Sequence, residues 1–208
     1  MIKRIIFDID NTLIDFPESY KEGYQQVLDK YNTGKTADEL YDAIGVYEEC
    51  GKYDKYDFDE LLKVINEYLH LELDSNFLND YFEMYNHLPT YVSDSVKETL
   101  EYLSNKYELV TLSNWFTASQ EERLKYAGID KYFTKVYGTD IVDMKPKEEA
   151  FKSVLGDYKV DECLMVGDSI KMDMEVPARL GMNVYHLCKN GKSIYPSISE
   201  LEELKYLL

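Results

Sequence analysis

The feature that most constrains this chain is a set of short, continuous apolar runs, each lying beside a turn rich in small or acidic residues. Residues 3–7 run into Asp8, and residues 108–112 run into Ser113-Asn114. Residues 133–137 end at Gly138, residues 163–166 end at Gly167-Asp168, and residues 184–187 follow Gly181. Continuous rather than alternating apolar character suits strands buried on both faces of a parallel sheet. Helical spacing fills the intervals, at 93–105, 118–126, 147–155 and 172–180. Strand and helix alternating in this way imply right-handed crossovers, and the predicted fold is α/β, a parallel sheet with helices on both faces.

The stretch from 16 to 89 breaks the pattern. Residues 18–31, 36–49, 58–69 and 76–85 carry helical spacing, clearest in the stripe Leu61, Leu62, Ile65 and Leu69. Thr36 followed by Glu39 fits a capping box. No strand is expected there. This reads as a helical insertion placed directly after the first strand and bounded by Pro17 and Pro89. The expected division is therefore a core of residues 1–15 and 90–208, and an inserted domain of residues 16–89.

Charge follows the same division. The 208 residues carry a formal charge of −17, with 23 Lys and Arg against 40 Asp and Glu. The inserted stretch has 17 acids and 6 bases, so −11 of that total lies there. An acidic surface disfavours nucleic acid, whose phosphates are bound by clustered Lys and Arg, and it disfavours anionic membrane. Cys50, Cys163 and Cys188 are too few and too scattered for a disulfide framework. No apolar run approaches the roughly 20 residues of a membrane span. The first residues meet Asp8 before a signal-type apolar stretch develops. A reduced, cytoplasmic protein is the expectation.

Four groups of residues fall at the ends of the expected strands, the edge where open parallel sheets bind ligands. Asp8-Ile9-Asp10-Asn11-Thr12 follows the first. Its two close carboxylates repel each other and resist burial, a cost that a divalent cation relieves. Taken alone, the group is also readable as an acidic turn. Ser113-Asn114 offers a hydroxyl and loop N–H groups to an anion, or simply caps a helix. Lys145-Pro146 precedes a helical pattern, and Pro146 suits the first helical position. Lys145 would then face an anion near that helix start, or stand as a solvated lysine. Gly167-Asp168-Ser169-Ile170-Lys171-Met172-Asp173 places two carboxylates around a tight turn, fit for oxygen ligation of a hard cation such as Mg²⁺.

In this order, each at a strand end, the four groups resemble the four motifs of the haloacid dehalogenase-like hydrolase superfamily. The resemblance spans nearly the whole chain, because the helical insertion looks like that superfamily's cap. It implies a Rossmann-like sheet with the first strand central. It also implies an Mg²⁺-dependent phosphatase in which Asp8 is the nucleophile and Asp10 the general acid and then base. The metal would be held by Asp8, the Asp10 carbonyl and Asp168, with Asp173 holding metal-bound water or Lys145. Ser113, Asn114 and Lys145 would bind the phosphoryl oxygens, Thr12 would orient Asp10, and Asp15 would lie at the hinge.

Dehalogenases of the superfamily lack an acid two residues past the nucleophile, so Asp10 favours phosphoryl transfer. Trp115 and Phe116 stand where many members carry glycine, and they either wall the site or pack. Substrate choice would fall to the cap, which holds ten of the twenty tyrosines, including Tyr20, Tyr24, Tyr47, Tyr53 and Tyr56. These can stack on a base or sugar, or serve as packing residues. The segment 50–57 reads as a loop tip near the substrate or as a solvated loop. His70, His87 and His186 are isolated and read as structural. The expected substrate is a small phosphorylated metabolite, of nucleotide or sugar phosphate class, and the acidic cap favours a compact monophosphate. A monomer or homodimer is expected. A phosphomutase with the same nucleophile, a metal-independent 2-haloacid dehalogenase and a non-catalytic binding module are the alternatives.

Overall fold

In the computed structural model, residues 1–15, 20–189 and 191–208 are described; Pro17 and the start of the helix expected at 18 lie outside them. The chain divides into two compact units, Met1–Asp15 with Tyr91–Leu208, and Phe16–Thr90.

The first unit is built on a parallel sheet of six strands in the order β3-β2-β1-β4-β5-β6, with β1 central. The strands are β1 (Arg4–Phe7), β2 (Glu108–Ser113), β3 (Lys135–Gly138), β4 (Cys163–Gly167), β5 (Asn183–Leu187) and β6 (Ser197–Ile198). The α/β class expected from the alternation, and the Rossmann-like order implied by the resemblance, are borne out. The sixth strand, an edge of two residues beside His186 and Leu187, has no counterpart in the sequence reading. Two residues are too few to show a period.

Side-chain alternation assigns the two faces. Ile5 and Phe7 of β1, Leu109 of β2 and Val166 of β4 pack with Leu100 and Leu103 of α5 (Asp94–Ser104), Leu124 of α6 (Thr117–Tyr126) and Leu204 of α9 (Leu204–Leu207). Ile6, Val110 and Met165 face the other way. They meet Ala150 and Phe151 of α7 (Glu148–Ser153) and Val176 of α8 (Glu175–Leu180). Burying each such side chain contributes roughly 1.5–3 kcal/mol, so the β1 region anchors the unit. Arg4 is buried because its guanidinium donates to the Val154 carbonyl at 2.6 Å, pairs with Glu108 at 2.9 Å and lies over the Tyr158 ring.

The register sets Phe7 opposite Thr111 and Val166, and Ser113 opposite Gly138. Asp8, Ser113 and Gly167 thus share one edge of the sheet. Two departures from expectation occur there. The helix expected over 172–180 is a π-helical turn, Ile170–Met174, followed by α8. Pro177 has no N–H to donate, so it sits in the first turn of a newly started α-helix rather than inside a continuous one. Pro146 is not the first residue of a helix either. Lys147 caps α7, and the Lys145–Pro146 peptide is cis.

The second unit contains α1 (Tyr20–Lys30), α2 (Ala37–Glu49), α3 (Phe58–Leu69) and α4 (Ser75–Asn86), with no strand among its described residues. α1 packs on α4 and α2 on α3. The capping box at Thr36 and Glu39 forms as expected. Asp57 caps the start of α3, and His70 ends that helix in the left-handed conformation. Tyr24, Tyr47, Tyr56, Tyr81 and Tyr85 are buried inside this unit. The Tyr81 hydroxyl donates to that of Tyr24 at 2.8 Å, and Tyr47 stacks on Tyr53. The packing reading of these tyrosines therefore holds for helix–helix contacts. The 50–57 segment is tied down from below, because the Tyr47 hydroxyl donates to the Lys55 carbonyl and accepts from the Asp57 N–H. No helix among the described residues is long and apolar enough to cross a membrane.

Candidate active site

The loop after β1 begins by extending the sheet, with the Asp8 N–H donating to the Val166 carbonyl. It then turns tightly. Asn11 takes φ 60°, a conformation asparagine tolerates better than most residues, and its N–H donates to the Ile14 carbonyl. The turn leaves Asp8 buried and Asp10 half-buried, with different partners.

Asp8 joins Asp173 through Lys145. The Lys145 Nζ lies 2.6 Å from Asp8 Oδ1 and 2.6 Å from Asp173 Oδ1, and all three side chains are buried. Lys145 comes from a loop held by Asn114, whose Nδ2 donates to the Lys145 carbonyl and whose Oδ1 accepts the Lys145 N–H. Asn114 thus clamps the lysine's backbone from the end of β2. Asp173 sits on the π-helical turn, and its Oδ2 accepts the Ser169 N–H. Gly167 makes this approach sterically feasible, since a Cβ there would lie 2.3 Å from Asp173 Oδ2.

Asp8, Asp168 and Asp173 each bring a carboxylate oxygen within 4.8 Å of the others. Burial pushes the Asp8 carboxyl up to about 8, against the pull of the Lys145 ammonium, with Asp173 and Asp10 adding repulsion. Burial and the charge of Asp173 also raise Asp168. Burial alone would lower the Lys145 ammonium, but Asp173 and Asp8 outweigh it and hold it up. Three close carboxylates against one ammonium leave negative charge unmatched. The donor set is all oxygen and hard, which fits a divalent cation of the Mg²⁺ type. The Asp10 side chain lies outside this group.

Asp10 instead faces α6. Arg123, buried on that helix, donates from Nη1 to Asp10 Oδ2 at 3.0 Å and from Nη2 to Oδ1 at 2.5 Å, a two-pronged pair. Arg123 Nη1 also donates to Gln120 Oε1, and Gln120 Nε2 donates to Ser113 Oγ at 2.9 Å. A guanidinium only donates, so it fixes the amide with its oxygen toward Arg123 and its nitrogen toward Ser113. Ser113 accepts that bond and keeps its own O–H for another acceptor.

Asp168 is held by its backbone. The His186 Nε2 lies 2.9 Å from the Asp168 carbonyl, which only accepts, so Nε2 carries the proton; Nδ1 meets Ser193 Oγ at 2.9 Å. His186 is thereby built into the site's framework, whereas His70 and His87 belong to the helical unit. Trp115 is buried and donates from Nε1 to Ser119 Oγ.

Sequence reasoning named Asp8, Asp10, Ser113, Asn114, Lys145, Asp168 and Asp173, and the structure gathers all of them at one sheet edge. It did not name Gln120 or Arg123, and it read His186 as an isolated structural histidine. The available signal was the spacing of Gln120, Arg123 and Leu124, which places two polar residues on the face of α6 that is buried.

The chain matches the haloacid dehalogenase-like hydrolase family over residues 5–187. It belongs to that family and is a hydrolase of it. Among curated relatives, it is 26% identical to the glyceraldehyde 3-phosphate phosphatase of Methanothermobacter thermautotrophicus, covering 98% of this chain and 100% of the relative. Among solved structures, the HAD-hydrolase YfnB of Bacillus subtilis, bound to magnesium, superposes with a TM-score of 0.76 at 21% identity, covering 100% and 98% of the two chains. A 2-haloacid dehalogenase of Pseudomonas syringae pv. Tomato gives 0.77 at 20% identity, with the same coverage. At these identities the structural likeness shows the fold and leaves the reaction to the site.

Proposed function

We propose that the protein is an Mg²⁺-dependent phosphatase acting on a small phosphomonoester through an aspartyl-phosphate on Asp8. The observation that carries the reading is the division of labour between two carboxylates two residues apart. Asp8 is buried among Lys145, Asp168 and Asp173, while Asp10 is turned away from that group and stands half-buried against Arg123.

Asp8 Oδ attacks phosphorus as the ester P–O bond breaks, and Asp10 gives its proton to the departing oxygen. Water then attacks the same phosphorus. Asp10 takes the water's proton, the Asp8–phosphorus bond breaks, and inorganic phosphate leaves with Asp8 restored. Lys145, the Ser113 O–H and the Asn114 N–H bind the equatorial oxygens, over which the transition state spreads charge. Mg²⁺, held by Asp8, Asp168 and the Asp10 carbonyl with Asp173 behind them, supplies charge neutralisation when bound.

The segment 16–89 serves as the cap that selects the substrate, and its charge of −11 favours a compact monophosphate over a polyphosphate. The sugar-phosphate activity named for the Methanothermobacter relative supports the same class. The likeness to a dehalogenase does not outweigh Asp10, because displacement of halide needs no proton donor. Assay of sugar phosphates and nucleoside monophosphates with Mg²⁺ and with EDTA tests the reading. Turnover that EDTA abolishes is expected; no turnover of any member, or turnover indifferent to EDTA, refutes it.

A further inference from the structure

We propose that Arg123 and Gln120 of α6 are positioning residues for the reaction, aligning the proton-transferring carboxylate Asp10 with the phosphate-binding hydroxyl Ser113. The inference rests on the phosphatase reading of the site.

Side chains on an α-helix lean toward its N-terminus, and residues three apart share a face. α6 starts four residues after Ser113, so Gln120 and Arg123 reach back toward the sheet edge that carries Ser113 and Asp10. Both are buried, and their polar atoms form one unbroken chain: Ser113 Oγ, Gln120 amide, Arg123 guanidinium, Asp10 carboxylate. The start of α6 is itself fixed. Asp140 accepts from the Thr117 N–H and hydroxyl, and Gly138 leaves room for the Thr117 backbone, which a Cβ would meet at 2.3 Å.

The two-pronged pair sets the plane of the Asp10 carboxylate, since both oxygens are engaged by one planar group. Each oxygen keeps a second lone pair outside the fork, so Arg123 acts as the pivot that fixes the direction in which Asp10 can pass a proton to the leaving oxygen. Gln120 fixes the pivot relative to Ser113, and therefore relative to the phosphoryl group that Ser113 binds. Nothing in this arrangement places Arg123 against the reacting atoms, so it is not itself a catalytic residue.

The consequence is specific to leaving-group protonation. An alkyl phosphate needs a proton delivered to its poor leaving oxygen, whereas 2,4-dinitrophenyl phosphate does not. Both report the step up to Asp8 phosphorylation through kcat/KM. The experiment compares Arg123→Gln, Arg123→Lys and Gln120→Leu with the unmodified protein on glycerol phosphate and on 2,4-dinitrophenyl phosphate, at saturating Mg²⁺. Arg123→Gln should lose at least about tenfold more kcat/KM on the alkyl ester than on the aryl ester, part of the roughly 10²–10⁴ that a positioned acid contributes. Arg123→Lys, which keeps charge but not the fork, should show the same imbalance, and Gln120→Leu a smaller one. In an Asp10→Asn background the added Arg123→Gln change should cost less than about threefold, because the group it positions is gone.

Equal losses on both esters, or an undiminished loss in the Asp10→Asn background, would overturn the proposal and leave a purely structural role. Should Arg123→Gln not fold, Arg123→Lys and Gln120→Leu read the same ratio. If the unmodified protein hydrolyses neither ester, the phosphatase reading fails first. If it hydrolyses both and the variants show no imbalance, this inference alone fails.

Discussion

Replacing Lys145 with methionine removes an ammonium that lies 2.6 Å from each of two buried carboxylates, while keeping most of the side-chain volume. Breaking a buried ion pair by deleting one partner costs about 3–5 kcal/mol, because the remaining charge stays out of water. That is a large share of the roughly 5–15 kcal/mol that holds a typical domain folded. The cost must also depend on pH. With Lys145 present, the Asp8 carboxyl already stands at about 8, above its ordinary 3.8. Without the ammonium it rises further. A carboxyl raised in the folded state binds more protons folded than unfolded between those two values, so its contribution to stability falls as pH climbs through them. Below about 8 the folded protein keeps the proton on Asp8 with or without the lysine, so the deficit of Lys145→Met should grow as pH rises above 8 and be smaller at pH 7 than at pH 9.5. Urea unfolding in EDTA, followed by far-ultraviolet circular dichroism at both pH values, measures it. A deficit below about 1 kcal/mol at pH 9.5, or one larger at pH 7 than at pH 9.5, would refute the reasoning.

The remaining predictions concern the same cluster. Gly167→Ala would place a Cβ 2.3 Å from Asp173 Oδ2, so it should displace that carboxylate. We expect a cost of about 1–3 kcal/mol together with weakened Mg²⁺ binding, read by unfolding and titration calorimetry. A cation must displace the proton that burial holds on Asp8, so Mg²⁺ binding at pH 7 should release protons, and affinity should rise with pH until about 8. Calorimetry in buffers of different ionisation enthalpy detects the release, and a pH-independent affinity from 6 to 8 would contradict it.

The sheet was legible because β1, β2 and β4 are largely apolar runs that end at Asp8, Ser113-Asn114 and Gly167-Asp168, the turn residues of the edge. The helices of 16–89 were legible where caps coincide with the apolar stripe. Residues 58–69 match at both ends, since Asp57 and His70 terminate the stripe. Legibility failed where a residue's role depends on a partner distant in sequence. Gln120 and Arg123 look like solvated positions until β1 supplies Asp10 and β2 supplies Ser113. His186 looks isolated until the loop after β4 brings the Asp168 carbonyl to its ring. The π-helical turn was hidden for a local reason: apolar spacing does not register one extra residue in a helical turn.

The central claim is that Asp8 carries the phosphoryl group. Acid quench of the protein during turnover of a phosphomonoester with Mg²⁺, followed by peptide mass spectrometry, tests it directly. The account predicts a phosphoryl group on Asp8, released by hydroxylamine and absent in Asp8→Asn. Turnover with no phosphoryl group on Asp8, or with the group on another residue, would contradict it.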